Sequence, residues 1–359
     1  GLAALLLWCG LLLCILLVRP RMIELHMPPA DLRLMALLQL LPLAAVAVVW
    51  LVRRRADPAP TLALLLCIVL LERGAEAASV YPAVPSRAFY PPLAFLDAIP
   101  RSAPWRTTAV GFTFIPNISA MYELEDVRGY EAMTFRPLFE TYPLWCVAQA
   151  VWFNRIDDPT KPFLSFLNVR YVLTPPEYGT PSGWRTISES SLGKVLENPA
   201  ALPRAFVPLE LQIEPESAAR LAALSRISDF RRNGIVAELP GWQPHDRVRN
   251  GRAEVEITQY RPDRLNLRVH ASTAAVVATS ITSWPGWRLS IDGAPQKLLA
   301  YNHAFLGFTV QPGRHRVTLA YAPGSVALGA TIGLGTLLGL AAWVAVRRMR
   351  ERSPRRSDL

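Results

Sequence analysis

Residues 321–350 read YAPGSVALGATIGLGTLLGLAAWVAVRRMR, and this stretch decides the fold class. No charged side chain occurs from Ser325 to Val346. As a helix the run is long enough to cross a hydrocarbon core, which takes about 20 apolar residues. Arg347, Arg348 and Arg350 stop it, and Arg352, Arg355 and Arg356 follow in the tail. Gly329, Gly333, Gly335 and Gly339 set up two small-xxx-small patterns along it. Such patterns let helices pack closely, although glycine is enriched in membrane helices generally.

Immediately upstream the period changes. Val255 and Ile257 alternate with Glu254 and Glu256, and Leu265, Leu267 and Val269 with Arg264, Asn266, Arg268 and His270. Alternation of this kind marks half-buried strands. Residues 275–281 are more continuously apolar, as a central strand is. Asp292-Gly293 is a favoured hairpin pair, and 305–310 and 315–321 join through Pro312-Gly313. This set predicts a small C-terminal β-sandwich over 241–323. Residues 81–240 mix Pro-rich and aromatic turns with strand patterns at 109–114 and 169–173 and a helix at 216–224, which predicts an α/β region.

Three more apolar runs open the chain, at 2–18, 34–52 and 61–71, stopped by Arg19-Pro20-Arg21, Arg53-Arg54-Arg55 and Glu72-Arg73, and the short third run makes a span, 58–78, only when its flanks extend it. The predicted fold is therefore a membrane protein with transmembrane helices bracketing an extracytoplasmic block. Arginines concentrate on the cytoplasmic side. The triplet 53–55 and the tail 347–359 then lie inside, and 81–323 lies outside. Arg19, Arg21 and Arg33 oppose this orientation. The predicted localisation is the cytoplasmic membrane, multi-pass. The chain begins at Gly1 without a charged leader, which reads as the C-terminal part of a longer polytopic protein.

The net charge of +10 comes almost wholly from arginine, with Lys161, Lys194 and Lys297 the lysines. No basic helix or RNA-binding motif gathers these charges, so no nucleic-acid partner is expected. Cys9, Cys14, Cys67 and Cys146 suggest neither a disulfide framework nor a metal site. His26, His245, His270, His303 and His315 lack metal-ligand spacing. No cofactor motif is identified.

The candidate ligand-facing residues are few. Glu72 and Arg73 end the third run, where they anchor the helix at the interface or stand near a lipid-linked substrate. Asp126, Arg128 and Tyr130 lie in the acidic segment 123–130, read either as a ligand-facing group or as a solvated loop with a local ion pair. Trp284 and Trp287 in Trp284-Pro285-Gly286-Trp287 form either a sugar-stacking platform or core and turn-flanking aromatics. Asn117-Ile118-Ser119 matches a glycosylation acceptor.

Several stretches together resemble the YfhO-type family of bacterial membrane proteins, which is grouped with the GT-C glycosyltransferases. They are Tyr81-Pro82 with Phe89-Tyr90-Pro91, the D-x-R-G-Y stretch 126–130, LNVRYVLT at 167–174 and ENPAALPRAF at 197–206. Ser283 to Trp287, Asp292-Gly293, Asn302, Gly313 and Tyr321-Ala322-Pro323 continue the order. Where the family often carries Asp after the third run, this chain has Glu72. The resemblance implies a glycosyltransferase-like parent using a polyprenyl-phosphate-linked sugar on cell-envelope glycopolymers, with the outer block positioning the acceptor. It implies a catalytic carboxylate in an earlier loop, so no catalytic residue is assigned. The alternatives are a non-catalytic envelope scaffold or assembly protein, and a transporter, which needs polar groups at mid-membrane depth.

Overall fold

The structure is a computed structural model. It describes residues 17, 20, 59–60, 63–64, 66–71, 74, 85–101, 104–130, 133–148 and 153–352. Two compact units divide the chain, Gly1–Pro92 and Leu93–Leu359. In the first, the described residues between 59 and 74 are helical, and a short helix Ser86–Phe89 starts from the carbonyl of Pro85.

Three sheets make up most of the second unit. The first is mixed, built from β1 (Arg106–Ala109), β2 (Glu125–Asp126), β3 (Val169–Thr174), β4 (Arg185–Ser190) and β5 (Gly193–Glu197) in the order β2-β1-β3-β5-β4. β1 runs parallel to both β2 and β3, while β3–β5 and β4–β5 are antiparallel.

The next strands in sequence are β6 (Ala205–Phe206), β7 (Glu210–Ile213), β8 (Asn233–Val236) and β9 (Arg247–Arg249). β10 (Ala253–Arg261) and β11 (Arg264–Ala271) follow, then β12 (Ala275–Thr282), β13 (Trp287–Ile291) and β14 (Ala294–Gln296). β15 (Leu299–Tyr301), β16 (Phe305–Val310) and β17 (Gly313–Tyr321) complete the set. One sheet takes the order β10-β11-β17-β13-β14 and is antiparallel throughout. The other takes seven strands in the order β6-β12-β16-β15-β8-β7-β9 and is mixed.

Parallel β7 and β8 are joined by the helix Ser217–Leu224. Glu216 caps that helix, its carboxylate accepting from the Ala218 and Ala219 amides. Such a cap satisfies donors that the first turn leaves without partners. Arg220 is buried and donates to the carbonyls of Glu214 (2.6 Å) and Pro215 (3.0 Å), pinning the helix to the loop before it.

β12 explains why the expected sandwich does not form. The sequence predicted a C-terminal β-sandwich; instead no sheet closes into a sandwich or barrel, and the chain is mostly mixed β-sheet. Val276 and Ala278 of β12 enter one core with Phe163, Phe166, Phe206, Tyr301 and Phe305. Ala275, Val277 and Ile281 enter a second core with Leu265, Leu289 and Val317 from the five-stranded sheet. A strand buried on both faces needs partners on both sides. At its two edges, separately, β12 pairs with β6 and β16.

The expected multi-pass architecture and localisation are corrected as well. Among the described residues one helix, Gly324–Met349, is long and apolar enough to cross a membrane. The runs 2–18 and 34–52 lie outside the described residues except for Leu17, which is helical. Of the third run, the apolar stretch 61–71 rises only about 17 Å as a helix, against a core of about 30 Å.

Local readings fare better. The strand expected over 169–173 is β3, and the helix expected over 216–224 is Ser217–Leu224. Asp292 and Gly293 adopt φ of 52° and 84° and close the β13–β14 hairpin. Expected strand 109–114 is displaced to 106–109, because Gly111 turns the chain at φ 58°.

Two predictions follow from the core. A Cβ on Gly234 would lie 2.1 Å from Tyr301 Oη, so Gly234→Ala should destabilise the protein by about 1–3 kcal/mol, read by thermal unfolding in detergent. His303, at φ 73° in the β15–β16 turn, meets Glu140 Oε2 at 2.7 Å through Nε2. Burial, against the opposing pull of Glu140, holds its pKa below the usual 6.5. The unfolded chain then binds the proton more readily. The stabilisation is present above pH 6.5 and is lost as pH falls through the folded pKa. His303→Gln should flatten the Tm against pH curve in that window.

Candidate functional site

The acidic segment Glu123 to Asp126 ends in the edge strand β2. Leu124 is buried in the core with Phe95, Ile99 and Val195. Glu123, Leu124 and Glu125 line a cavity of about 280 Å³, together with Arg101, Trp105 and Tyr260. Residue Glu123 follows the 3-10 turn Ile118–Tyr122 at φ 57°. The parallel pairing of Arg106 with Glu125 and Thr107 with Asp126 fixes the register.

Arg204 anchors this cavity from beneath and is 2% exposed. Its Nη2 donates to Glu125 Oε2 at 2.7 Å, and Nε and Nη2 donate to the carbonyl of Pro104 at 3.1 and 3.0 Å. Tyr260 Oη donates to the same Glu125 oxygen at 2.9 Å, and the Arg204 guanidinium lies 4.3 Å over the Tyr260 ring. Burial, partly offset by Arg204, pushes Tyr260 up to about 12, so the phenol stays protonated at neutral pH. Behind it, Arg106 Nη1 donates to the carbonyls of Leu167 (3.0 Å) and Ser280 (2.9 Å). Burial and the neighbouring Arg204 push Arg106 down to about 9, which leaves it charged at neutral pH.

Trp105 forms the aromatic wall. Arg170 lies 4.7 Å over its ring and is held by Glu197 through bonds of 3.0 and 2.7 Å to Oε1. Arg185 takes the other Glu197 oxygen. Burial alone would raise the Glu197 pKa, yet these two arginines hold it below the usual range. Chemically the cavity offers two carboxylate acceptors, a guanidinium, a phenol and an indole wall. No group of three or more His, Cys, Asp or Glu residues suited to a metal occurs among the described residues. A second cavity, of about 240 Å³ near Gln212, Arg226, Asn233 and Arg247, carries no aromatic lining.

The residues singled out from the sequence in this segment, Asp126, Arg128 and Tyr130, do not line the cavity. Asp126 and Arg128 form a closed pair, with side chains 4% and 0% exposed. Arg128 Nη2 also donates to the carbonyl of Phe114 at 2.6 Å, and its guanidinium lies 5.6 Å from the Phe153 ring. The expected solvated ion pair is thus a buried one. Tyr130 stands apart, 51% exposed, its carbonyl accepting from Asn117 at 3.3 Å. Trp284 is exposed and stacks on Phe135 at 4.8 Å, whereas Trp287 packs against Tyr321 at 5.4 Å. Neither reaches the cavity lining. Glu72 and Arg73 lie outside the described residues.

Residues 245–333 match the model of a family described as bacterial membrane protein YfhO. The uncharacterized protein YfhO of Bacillus subtilis (strain 168) is 29% identical over 107 residues, which is 30% of this chain and 12% of that protein. These matches show direct, though weak, homology to the YfhO family, and the chain spans only a small part of that relative's length. No solved structure matches the chain.

The Asp126–Arg128 pair separates structural from exposed roles. Arg128→Met leaves a buried carboxylate without its partner and should cost about 3–5 kcal/mol. Tyr130→Ala should stay within about 0.5 kcal/mol. Thermal unfolding of the two variants side by side checks this, and equal losses would contradict it.

Proposed function

We propose, from this kinship with YfhO-type membrane proteins, that the second unit is an acceptor-binding module for cell-envelope glycans, tethered by a spanning helix at 324–352. The observation that carries the reading is the cavity walled by Trp105 and ringed by Glu123, Glu125, Arg101 and Tyr260. An aromatic face suits the apolar side of a sugar ring. Carboxylates and a guanidinium suit its hydroxyls, as the few oriented polar groups of a ligand pocket do. The volume is at the small end of ligand pockets, roughly 300–1,000 Å³. That size favours one sugar unit of a polymer over a lipid tail.

The negative charge of the two glutamates favours neutral or amine-bearing sugars over polyanionic ones, and Arg204 offsets part of the charge on Glu125 from the buried side. In this reading the sugar donor is polyprenyl-phosphate-linked, and Glu123 and Glu125 hold the acceptor. Neither is assigned as the base of a transfer reaction. The alternative is a non-catalytic envelope scaffold, which uses the same cavity to grip the polymer without transferring a sugar.

Binding of cell-envelope oligosaccharides to the full chain in nanodiscs, followed by calorimetry, tests the proposal. Trp105→Ala should weaken binding by about tenfold or more, Trp105→Phe should retain most of it, and Glu123→Gln, at an exposed lining residue, should weaken it with little change in Tm. No saturable binding of any neutral or amine-bearing oligosaccharide would reject the acceptor role. Sugar transfer from a polyprenyl-phosphate donor would decide between enzyme and scaffold.

A further inference from the structure

The five-stranded sheet carries an arginine row at the end where β17 leads into the long helix. Arg261 pairs with Arg264, Arg264 with Ala320, and Arg288 with Ala320 from the other side. Directly opposed residues share a sheet face. The three guanidiniums therefore line one row across four strands, with the small Ala320 in the middle. Strands stand about 4.8 Å apart, so Arg264 and Arg288 are roughly 10 Å apart. The next residues along, Leu265, Leu319 and Leu289, are buried and belong to the opposite face.

Arg261, Arg264 and Arg288 are exposed and make no ion pair or side-chain hydrogen bond among the described residues. Further from the helix on the same face, Arg268 is paired with Glu256 at 2.5 Å, and Arg316 and Arg314 stand opposite Arg268 and His270. Gln259, Asn266, Thr318 and Ser290 form an uncharged row between them. Asp263, in the turn between Arg261 and Arg264, is the nearby carboxylate, and its backbone carbonyl accepts from the Tyr321 amide at 2.8 Å.

The same end is fixed against the helix entry. The Ala322 amide donates to the Gly286 carbonyl at 2.9 Å. Gly286 sits at φ 118°, where a Cβ would come within 2.9 Å of Pro323. Trp287 and Tyr321 pack there, and Trp284 is exposed two residues away. Unpaired arginines beside tryptophan and tyrosine, three residues from a membrane-length helix, have the composition of a membrane interface.

We propose that this end of the sheet docks on the bilayer surface and that Arg261, Arg264 and Arg288 engage the phosphates of anionic lipids, orienting the whole unit on the membrane. The proposal rests on the spanning helix proposed above. Charge complementarity and direct continuity with that helix select a lipid surface as the occupant.

The test uses the full chain in nanodiscs of phosphatidylcholine, alone or mixed with phosphatidylglycerol, and reads amide hydrogen exchange. Residues 326–346 should be protected in both. Residues 259–266 and 284–290 should exchange about fivefold more slowly, or slower still, in the anionic discs, the effect expected of even one arginine at such a surface. R264E/R288E should abolish that slowing and leave 326–346 protected, while R264K/R288K should keep it. Equal exchange at 284–290 in the two discs, or the same slowing from inorganic phosphate with neutral lipid, overturns the proposal and leaves the spanning helix standing. Rapid exchange across 326–346 overturns both.

Discussion

From Ala275 to Ile281 every residue of β12 is buried, so successive side chains answer to different cores. This double burial dictates the arrangement around it. Its inner face takes the aromatic group in which Phe166 packs on Phe305 at 4.9 Å and on Phe230 at 5.6 Å. The outer face takes the leucines and valines of the five-stranded sheet. Even the polar positions are spoken for. Thr279 donates to the Leu306 carbonyl at 2.8 Å, and the Ser280 carbonyl accepts from Arg106 of the first sheet. Buried backbone and hydroxyl groups without partners are costly, and β12 satisfies these through strands from both halves of the unit.

The candidate cavity inherits its rigidity from that arrangement. Arg106 reaches β12 on one side and lies beside Arg204 on the other. Arg204 in turn fixes Glu125 and Tyr260. Two buried guanidiniums side by side are tolerable because carbonyls, a carboxylate and an aromatic face surround them. The result is a carboxylate whose position is set from behind while its open side faces a ligand-sized space.

Much of the local structure was legible in the sequence, and the reasons are specific. The alternation at 254–257 and 264–270 marks half-exposed strands, and it recurs in β10 and β11, where a bulge after Ile257 interrupts it in β10. Asp292-Gly293 carries its own turn geometry. What escaped was long-range pairing. β6 is two residues long, and its partners Ala278 and Thr279 lie more than 70 positions later. No periodicity announces such a strand, so 241–323 looked self-sufficient. The site escaped for a related reason. The motif-like residues Asp126 and Arg128 draw attention, but they close on each other, while their neighbours Glu123 and Glu125 line the cavity. Tyr260, which completes the cavity, is 135 positions from Glu125. Arg101 and Trp105 belong to no pattern at all.

The position of β17 bears on how the protein is made. It lies in the middle of its sheet, between β11 and β13, yet it is the last strand in the chain. A growing polypeptide therefore cannot complete that sheet until β17 has left the ribosome, when the apolar helix is next to emerge. Until then β11 and β13 expose the edges that β17 will occupy, and such edges invite pairing with other chains. Closure of this sheet and release of the long apolar helix are thus forced into nearly the same moment of synthesis. A pause at that point falls on a chain whose central strand has only just arrived.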